Sequence, residues 1–470
     1  MNIVVISLLL LICGGAIFIK PTEAPSALAM CALACAPTII ILARNPAHRT
    51  FLLRLFILAL AIRIILAMVI FSGHMENFFG GDANTYDDYG QSLVRAWHGD
   101  QYHAEKLRLF VQSGTTAWGM IYMVAAVYEL IGDNILAIQF INAAVGAATA
   151  AVVFQVAQTL FNNTRASKLA AVLVAFFPSL ILWSSQALKD ALIIFALTLS
   201  ILATLRLMEK ITTRYLLVLI GGLLALLSLR FYIFYMMAAA VAGSFILGMK
   251  TLSAQSFLQR FVAVGVIGLA FTWFGVLRYA GTQIDRYANL QAIQTSRDDQ
   301  ASAGSGFAKD VDIQTTEGAL TVIPMGILYL MFAPFPWQYE NFRQLITLPE
   351  MIVWWFSFPF LVLGLYYSLK ERLRQVSPII IFTTMLTLAY SLFQGNVGTA
   401  YRQRSQLLVF YFIFVAVGAV IAKESAENRR RRQQLAKLDV AELQAARVMA
   451  RRKVPLEVRQ DLQKSKPEAV

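Results

Sequence analysis

The stretch DALIIFALTLSILATLRLMEKITTRYLLVLIGGLLALLSL, residues 190–229, decides the fold. It holds two apolar runs, and a bilayer core about 30 Å thick takes roughly 20 mostly apolar residues per helix. Between the runs lie Arg206, Lys210 and Arg214. Basic residues in a short loop between apolar runs mark the cytoplasmic side of a membrane. The stretch therefore reads as a membrane hairpin with its turn inside and its ends, Asp190 and Arg230, outside.

The same pattern repeats on either side. Arg44, Arg49 and Arg54 form one basic loop, Arg165 with Lys168 another, and Lys250 with Arg260 a third. Lys370, Arg372 and Arg374 form a further one, and Arg429 to Arg432 open a basic tail. These anchors agree with spans near 3–19, 26–43, 51–72, 135–160, 169–186, 190–208, 215–229, 231–248, 261–280, 351–369, 378–393 and 407–422. The expected fold is an all-α, polytopic membrane bundle of about twelve transmembrane helices with both termini cytoplasmic. Two more apolar runs, 117–131 and 319–335, would invert the basic loops between them if both crossed. They are read as re-entrant or interfacial, with Trp118, Tyr122, Tyr128, Trp337 and Tyr339 at the membrane edge. Residues 1–50 form two extra N-terminal helices, 51–422 the main transmembrane domain, and 423–470 the cytoplasmic tail. Whether the tail lies on anionic headgroups or is merely solvated stays open.

Composition agrees. Only 14% of the 470 residues are charged and 58% are hydrophobic, against roughly a quarter charged in soluble domains. The net charge of +13 sits in the inner loops and the tail, which argues against nucleic acid as a partner. Cys13, Cys31 and Cys35 lie inside apolar runs and read as packing residues. Met1–Ile19 lacks a basic start and reads as a retained helix. No P-loop and no HExxH occurs, and His48, His74, His98 and His103 do not cluster.

The chemistry-bearing residues map to the expected outer side, in the loops 73–116, 281–317, 336–350 and 394–406 and the turn Trp183–Asp190. Asp82, after Gly80 and Gly81, starts a helical pattern through Tyr86, Asp87, Asp88, Tyr89 and Leu93. It suits a helix N-cap or a carboxylate poised as general base. Lys189 and Asp190 suit an ion pair at a helix start or a second acidic site. Arg230, and Arg402 with Arg404 beyond Asn396 and Gly398, oppose the positive-inside trend. They suit snorkelling to headgroups or bidentate binding of a phosphate. Acids able to take a proton beside arginines able to hold a phosphate suggest transfer from a lipid-linked phosphate donor.

Four motifs carry a resemblance. They are Asp82-Ala83-Asn84-Thr85-Tyr86, Leu130-Ile131-Gly132-Asp133-Asn134 followed by the small residues of Asn142–Ala151, the basic turn Phe161–Ala166, and Pro178 followed by Asp190. Over roughly 60–210 the chain resembles the membrane glycosyltransferases of the C-type fold. Within them it looks closest to the bacterial branch related to protein mannosyltransferases and lipid A aminoarabinose transferases. The resemblance implies inverting transfer of a sugar from a polyprenyl-phosphate carrier to a glycan, lipid or protein acceptor. Asp82 would be the base, Asp190 would orient the acceptor or the base, and Arg402, Arg404 or Arg230 would hold the phosphate. Tyr86, Asp87, Asp88, Lys189 and Asn396 complete the expected substrate-binding set, and 281–317 would act as a mobile lid. The implied location is a bacterial inner membrane with a periplasmic active face. Ala83 stands where an acidic residue is common in the branch, so the sequence does not require a divalent metal. A polysaccharide polymerase or ligase would make the arginines indispensable instead of Asp82. A transporter or a non-enzymatic envelope-assembly protein would make both acids replaceable.

Overall fold

The computed structural model describes residues 3–76, 78, 81–112, 118–247, 265, 290–302, 306–307, 313–338 and 342–452. The elements are helical, and among the described residues the one β pairing is an isolated bridge between Gly306 and Asn396. The hairpin at 190–229 folds as Asp190–Glu209 and Thr213–Leu229, parted by extended backbone at Lys210. Six described helices are long and apolar enough to cross a membrane: Ala24–Ala43, Arg49–Ser72, Ile135–Phe161, Asp190–Glu209, Leu348–Phe393 and Val397–Gln444. Ile6–Ile19, Trp118–Ile131, Thr213–Leu229, Phe231–Leu247 and Glu317–Phe332 are apolar but shorter. The expected span at 261–280, the loop with Lys250 and Arg260, and much of 281–317 lie outside the described residues.

Three expected spans differ in form. The run 169–186 is a bent pair, Thr164–Phe176 and Pro178–Ser184, meeting at 54°. Proline pushes the residue before it out of the helical region and removes a backbone donor, and Phe177 accordingly takes φ −70°, ψ 127°. The bend leaves carbonyls to satisfy. Arg63, buried within Arg49–Ser72, donates to Ala175 O at 2.8 Å, to Ala59 O at 3.0 Å and to Ser184 Oγ at 2.8 Å. The spans 351–369 and 378–393 are continuous as Leu348–Phe393, kinked at Arg372 (φ −139°, ψ 22°). Arg372 donates to Leu160 O at 2.9 Å, covering the end of Ile135–Phe161.

The core forms around Ile135–Phe161, which packs against Ala24–Ala43, Arg49–Ser72, Thr164–Phe176 and Asp190–Glu209. Its small residues permit that crowding, since helices in a bilayer associate through close backbone packing. A Cβ on Gly146 would lie 2.4 Å from Ser184 Cβ. Gly364 and Gly418 mark a second close crossing, where a Cβ would fall 1.9 Å from Phe414 O and 2.0 Å from Phe360 O.

Trp118–Ile131 lies against the helix Asp82–Trp97, and Thr316–Phe332 lies along Leu348–Phe393. Trp354 Nε1 donates to Met331 O at 2.7 Å, fixing the end of the latter helix. The described part of the expected lid is docked. Arg297, on the helix Leu290–Ala301, donates to Leu392 O at 3.0 Å and Gln394 O at 2.9 Å. Phe307 N donates to Gly395 O at 2.8 Å.

The chain divides into two compact units, Met1–Gly418 and Ala419–Val470. Within the second, residues through Arg452 are helical, and Arg429 to Arg432 are exposed. The first two helices pack with the third, and the second also with Ile135–Phe161.

Candidate active site

Asp82 is the first residue of the helix Asp82–Trp97. It does not cap that helix: Gly81 holds the capping position, with no side-chain capping bond. Its carboxylate instead accepts from Arg402 Nη1 at 2.8 Å, with the Asp82 side chain 51% exposed. Arg402 projects from the helix that Asn396 caps by accepting from Gly398 N and Thr399 N.

The same guanidinium reaches Asp190. Its Nε and Nη2 both donate to Asp190 Oδ2, at 3.0 and 2.6 Å. Asp190 is fully buried, and its Oδ1 makes no hydrogen bond among the described residues. Asp190 opens Asp190–Glu209, and the turn before it is held from the core. Asn142, buried in Ile135–Phe161, donates to Gln186 O and to Leu188 O, each at 2.7 Å. Trp183 supplies a floor, with the Arg402 guanidinium 5.6 Å from its ring centre.

Two more cations face this pair. The Lys189 ammonium lies 5.8 Å from the centre of the Tyr86 ring. Burial, with Arg230 adding repulsion, lowers its pKa to about 7. Burial, helped by the nearby Asp82 and Asp190, raises the Tyr86 phenol. Arg230 sits at the extended break between Thr213–Leu229 and Phe231–Leu247. It donates to Tyr390 Oη at 3.4 Å and stacks 5.7 Å from the Tyr232 ring centre. Tyr390 in turn donates to Gln406 Oε1 at 2.7 Å. Among the described residues neither Lys189 nor Arg230 is ion-paired with a carboxylate. Three cations therefore stand against two carboxylates, a local excess that suits an anionic ligand.

Asp82, Asp190, Tyr86, Lys189, Arg230 and Arg402 are thus brought together. Four expected residues are not. Arg404 is buried elsewhere and donates to Met331 O and Ala333 O at 3.0 Å each, and to Met351 Sδ at 2.9 Å. It ties down the end of Thr316–Phe332, so the expected Arg402/Arg404 pair is corrected to Arg402 alone. Asp87 accepts from Tyr128 Oη and Gln91, its pKa raised chiefly by burial. Asp88 is ion-paired with Lys106 at 2.7 Å. Asn396 is spent on capping. Sequence reasoning placed Trp183 in the outer turn without giving it a part in the site, and it missed Tyr232, Tyr390 and Asn142. Asn142 alone carried a signal, as an amide within a span of small apolar residues.

No three His, Cys, Asp or Glu side chains converge among the described residues. Between Asp82 and Asp190, where a divalent ion would bridge them, the Arg402 guanidinium already stands, so these residues do not fit a bridging metal.

No curated protein matches the sequence. Two archaeal structures align with the chain. The apo oligosaccharyltransferase of Archaeoglobus fulgidus aligns with a TM-score of 0.46 and 13% identity, over 84% of this chain and 53% of that one. An oligosaccharyltransferase from the same organism, in complex with an inhibitory peptide and a dolichol-phosphate, aligns at 0.35 and 14%, over 67% and 43%. The chain spans about half the length of these proteins. Residues 117–277, which include Asn142, Trp183, Lys189, Asp190 and Arg230, match a family model. That stretch carries the pattern of the dolichyl-phosphate-mannose-protein mannosyltransferases, the C-type membrane glycosyltransferases that the sequence resembles.

Proposed function

We propose that the protein is a membrane glycosyltransferase. It moves a sugar from a polyprenyl-phosphate carrier to an acceptor at the membrane face where Asp82 lies, the periplasmic face of a bacterial inner membrane. The observation that carries this reading is the single guanidinium of Arg402 joined to both Asp82 and Asp190, with Lys189 and Arg230 beside it as cations that have no carboxylate partner among the described residues.

The chemistry follows from that charge pattern. The donor phosphate is held by Arg230 and Lys189, with Arg402 as the geometrically specific contact. Asp82 Oδ2 is engaged by Arg402 Nη1, and Asp82 gives up this one contact to meet the acceptor hydroxyl. Asp190 takes two bonds from the same guanidinium and is fully buried, so it keeps Arg402 in place while Nη1, released from Asp82, donates to the phosphate. The acceptor hydroxyl then gives its proton to Asp82. Its oxygen bonds to the anomeric carbon from the face opposite the phosphate, and the bond from that carbon to the phosphate oxygen breaks. The electron pair leaves with the phosphate, whose charge the three cations stabilise. The configuration at the anomeric carbon inverts.

The polymerase or ligase reading makes the outer arginines indispensable instead of Asp82, and of these Arg404 is engaged with the backbone carbonyls of Met331 and Ala333.

Asp82→Asn tests the base. General-base removal costs about 10²–10⁴-fold, so transfer from a polyprenyl-phosphate sugar falls by at least that lower bound. The half-exposed carboxamide leaves folding and insertion intact, as checked by size-exclusion profile and melting temperature. Wild-type turnover in this variant would remove Asp82 from the mechanism.

A further inference from the structure

A groove of about 450 Å³ lies between the helices Asp82–Trp97 and Gln101–Gln112, lined by Tyr89, Tyr102, Glu105, Lys106, Leu109 and Phe110. That volume is within the range of small-molecule sites, roughly 300–1,000 Å³. The Tyr89 and Phe110 rings stack with centres 3.7 Å apart and make one wall. Tyr102 is 73% exposed and Leu109 56% exposed.

The polar groups here are already neutralised in pairs. Lys106 donates to both oxygens of Asp88, at 2.8 and 2.7 Å, and also lies 5.1 Å from the Tyr89 ring centre. Glu105 takes a two-pronged contact from Arg108, at 2.8 and 2.7 Å. A wall of aromatic rings beside balanced donors and acceptors does not select a phosphate or a charged headgroup. It suits a neutral polyol, whose C–H face lies on the rings while its hydroxyls meet Glu105 and Lys106.

Tyr89, which lines the groove, is on the same helix as Asp82. Residues three and seven apart share one face of a helix, and Asp82, Thr85 and Tyr89 follow that spacing. Asp82 and Thr85 are exposed and Tyr89 partly so. Seven residues at 1.5 Å each place Tyr89 roughly 10 Å along the helix from Asp82.

We infer that this groove is a subsite for a sugar unit of the acceptor, so that the acceptor is a glycan. The word acceptor rests on the transferase reading; the binding of neutral sugar does not.

The experiment uses the full chain in nanodiscs carrying Leu109→Cys, with a membrane-impermeant maleimide and four neutral disaccharides: cellobiose, maltose, chitobiose and mannobiose. Protection scales as one plus ligand concentration over Kd, so about 50 mM sugar at a Kd near 10 mM slows modification about sixfold. At least one disaccharide gives that protection, and adding Tyr102→Ala abolishes it. Adding Asp82→Asn instead leaves it intact, so the groove stands or falls separately from the catalytic reading. The inference is overturned if the thiol introduced by Leu109→Cys does not react, which would put the groove in lipid. It is equally overturned if no disaccharide protects, if protection survives Tyr102→Ala, or if inorganic phosphate protects as well as sugar.

Discussion

Arg402 and Arg404 are two positions apart on one helix, which places them about 200° apart around it. They cannot share a ligand, and the two guanidiniums accordingly go to Asp82 with Asp190 and to the carbonyls of Met331 and Ala333. The error in pairing them came from reading 394–406 as a loop, where spacing carries no direction, when the helix begins at Val397. Asp82 and Asp190 were legible because acids at the ends of apolar runs are few. Lys189 carries a prediction of its own. With a pKa near 7 it is cationic below that pH and neutral above it. Because kcat/KM reports ionisations of the free enzyme, kcat/KM for the donor falls as pH rises through about 7. Lys189→Arg removes this limb, since guanidinium stays protonated throughout. Stability moves the other way. The folded value lies below the unfolded one of about 10.4, so the unfolded chain binds more protons between the two and folding strengthens as pH rises. A wild-type profile that is flat from about pH 6 to 8.5 would remove Lys189 from donor binding.

At the scale of elements, the apolar runs largely became helices where hydropathy put them, because length and polarity alone govern spanning. The break at Pro178 was less visible. The run 169–186 is apolar throughout, so hydropathy carries it across the bend that the proline imposes. What that bend does is aim the turn 185–189 at the site, with Asn142 holding the turn from the core. Asn142→Ala leaves the carbonyls of Gln186 and Leu188 without their donor. Each buried carbonyl left unpaired costs about 1–3 kcal/mol. The expected result is a lowered midpoint in denaturant or thermal unfolding, with a fall in transfer turnover larger than the fall in folded fraction. Equal losses of both would mean that Asn142 supports the core alone and does not position Asp190.

At the scale of the molecule, charge sorts by end of the bundle. The site cluster gathers at one end, from Asp82, Asp190, Arg230 and Arg402, whereas Lys210 follows the other end of Asp190–Glu209 and Arg214 stands at the other end of Thr213–Leu229. A short basic loop is costly to translocate, whereas two carboxylates offset most of the positive charge of the site cluster, so the two ends differ in what they demand of the membrane. This asymmetry gives a sidedness prediction. In intact cells, Asp100→Cys, in the exposed loop after Asp82–Trp97, reacts with an impermeant maleimide from outside. Lys210→Cys, exposed between Asp190–Glu209 and Thr213–Leu229, reacts only after permeabilisation. Lys210 follows the end of Asp190–Glu209 remote from Asp190, so its labelling is all or none. Labelling of Lys210→Cys in intact cells would turn the bundle over. It would move the donor phosphate site to the cytoplasmic leaflet, where soluble nucleotide sugars compete as donors, and the case for a lipid-linked donor would fail with it.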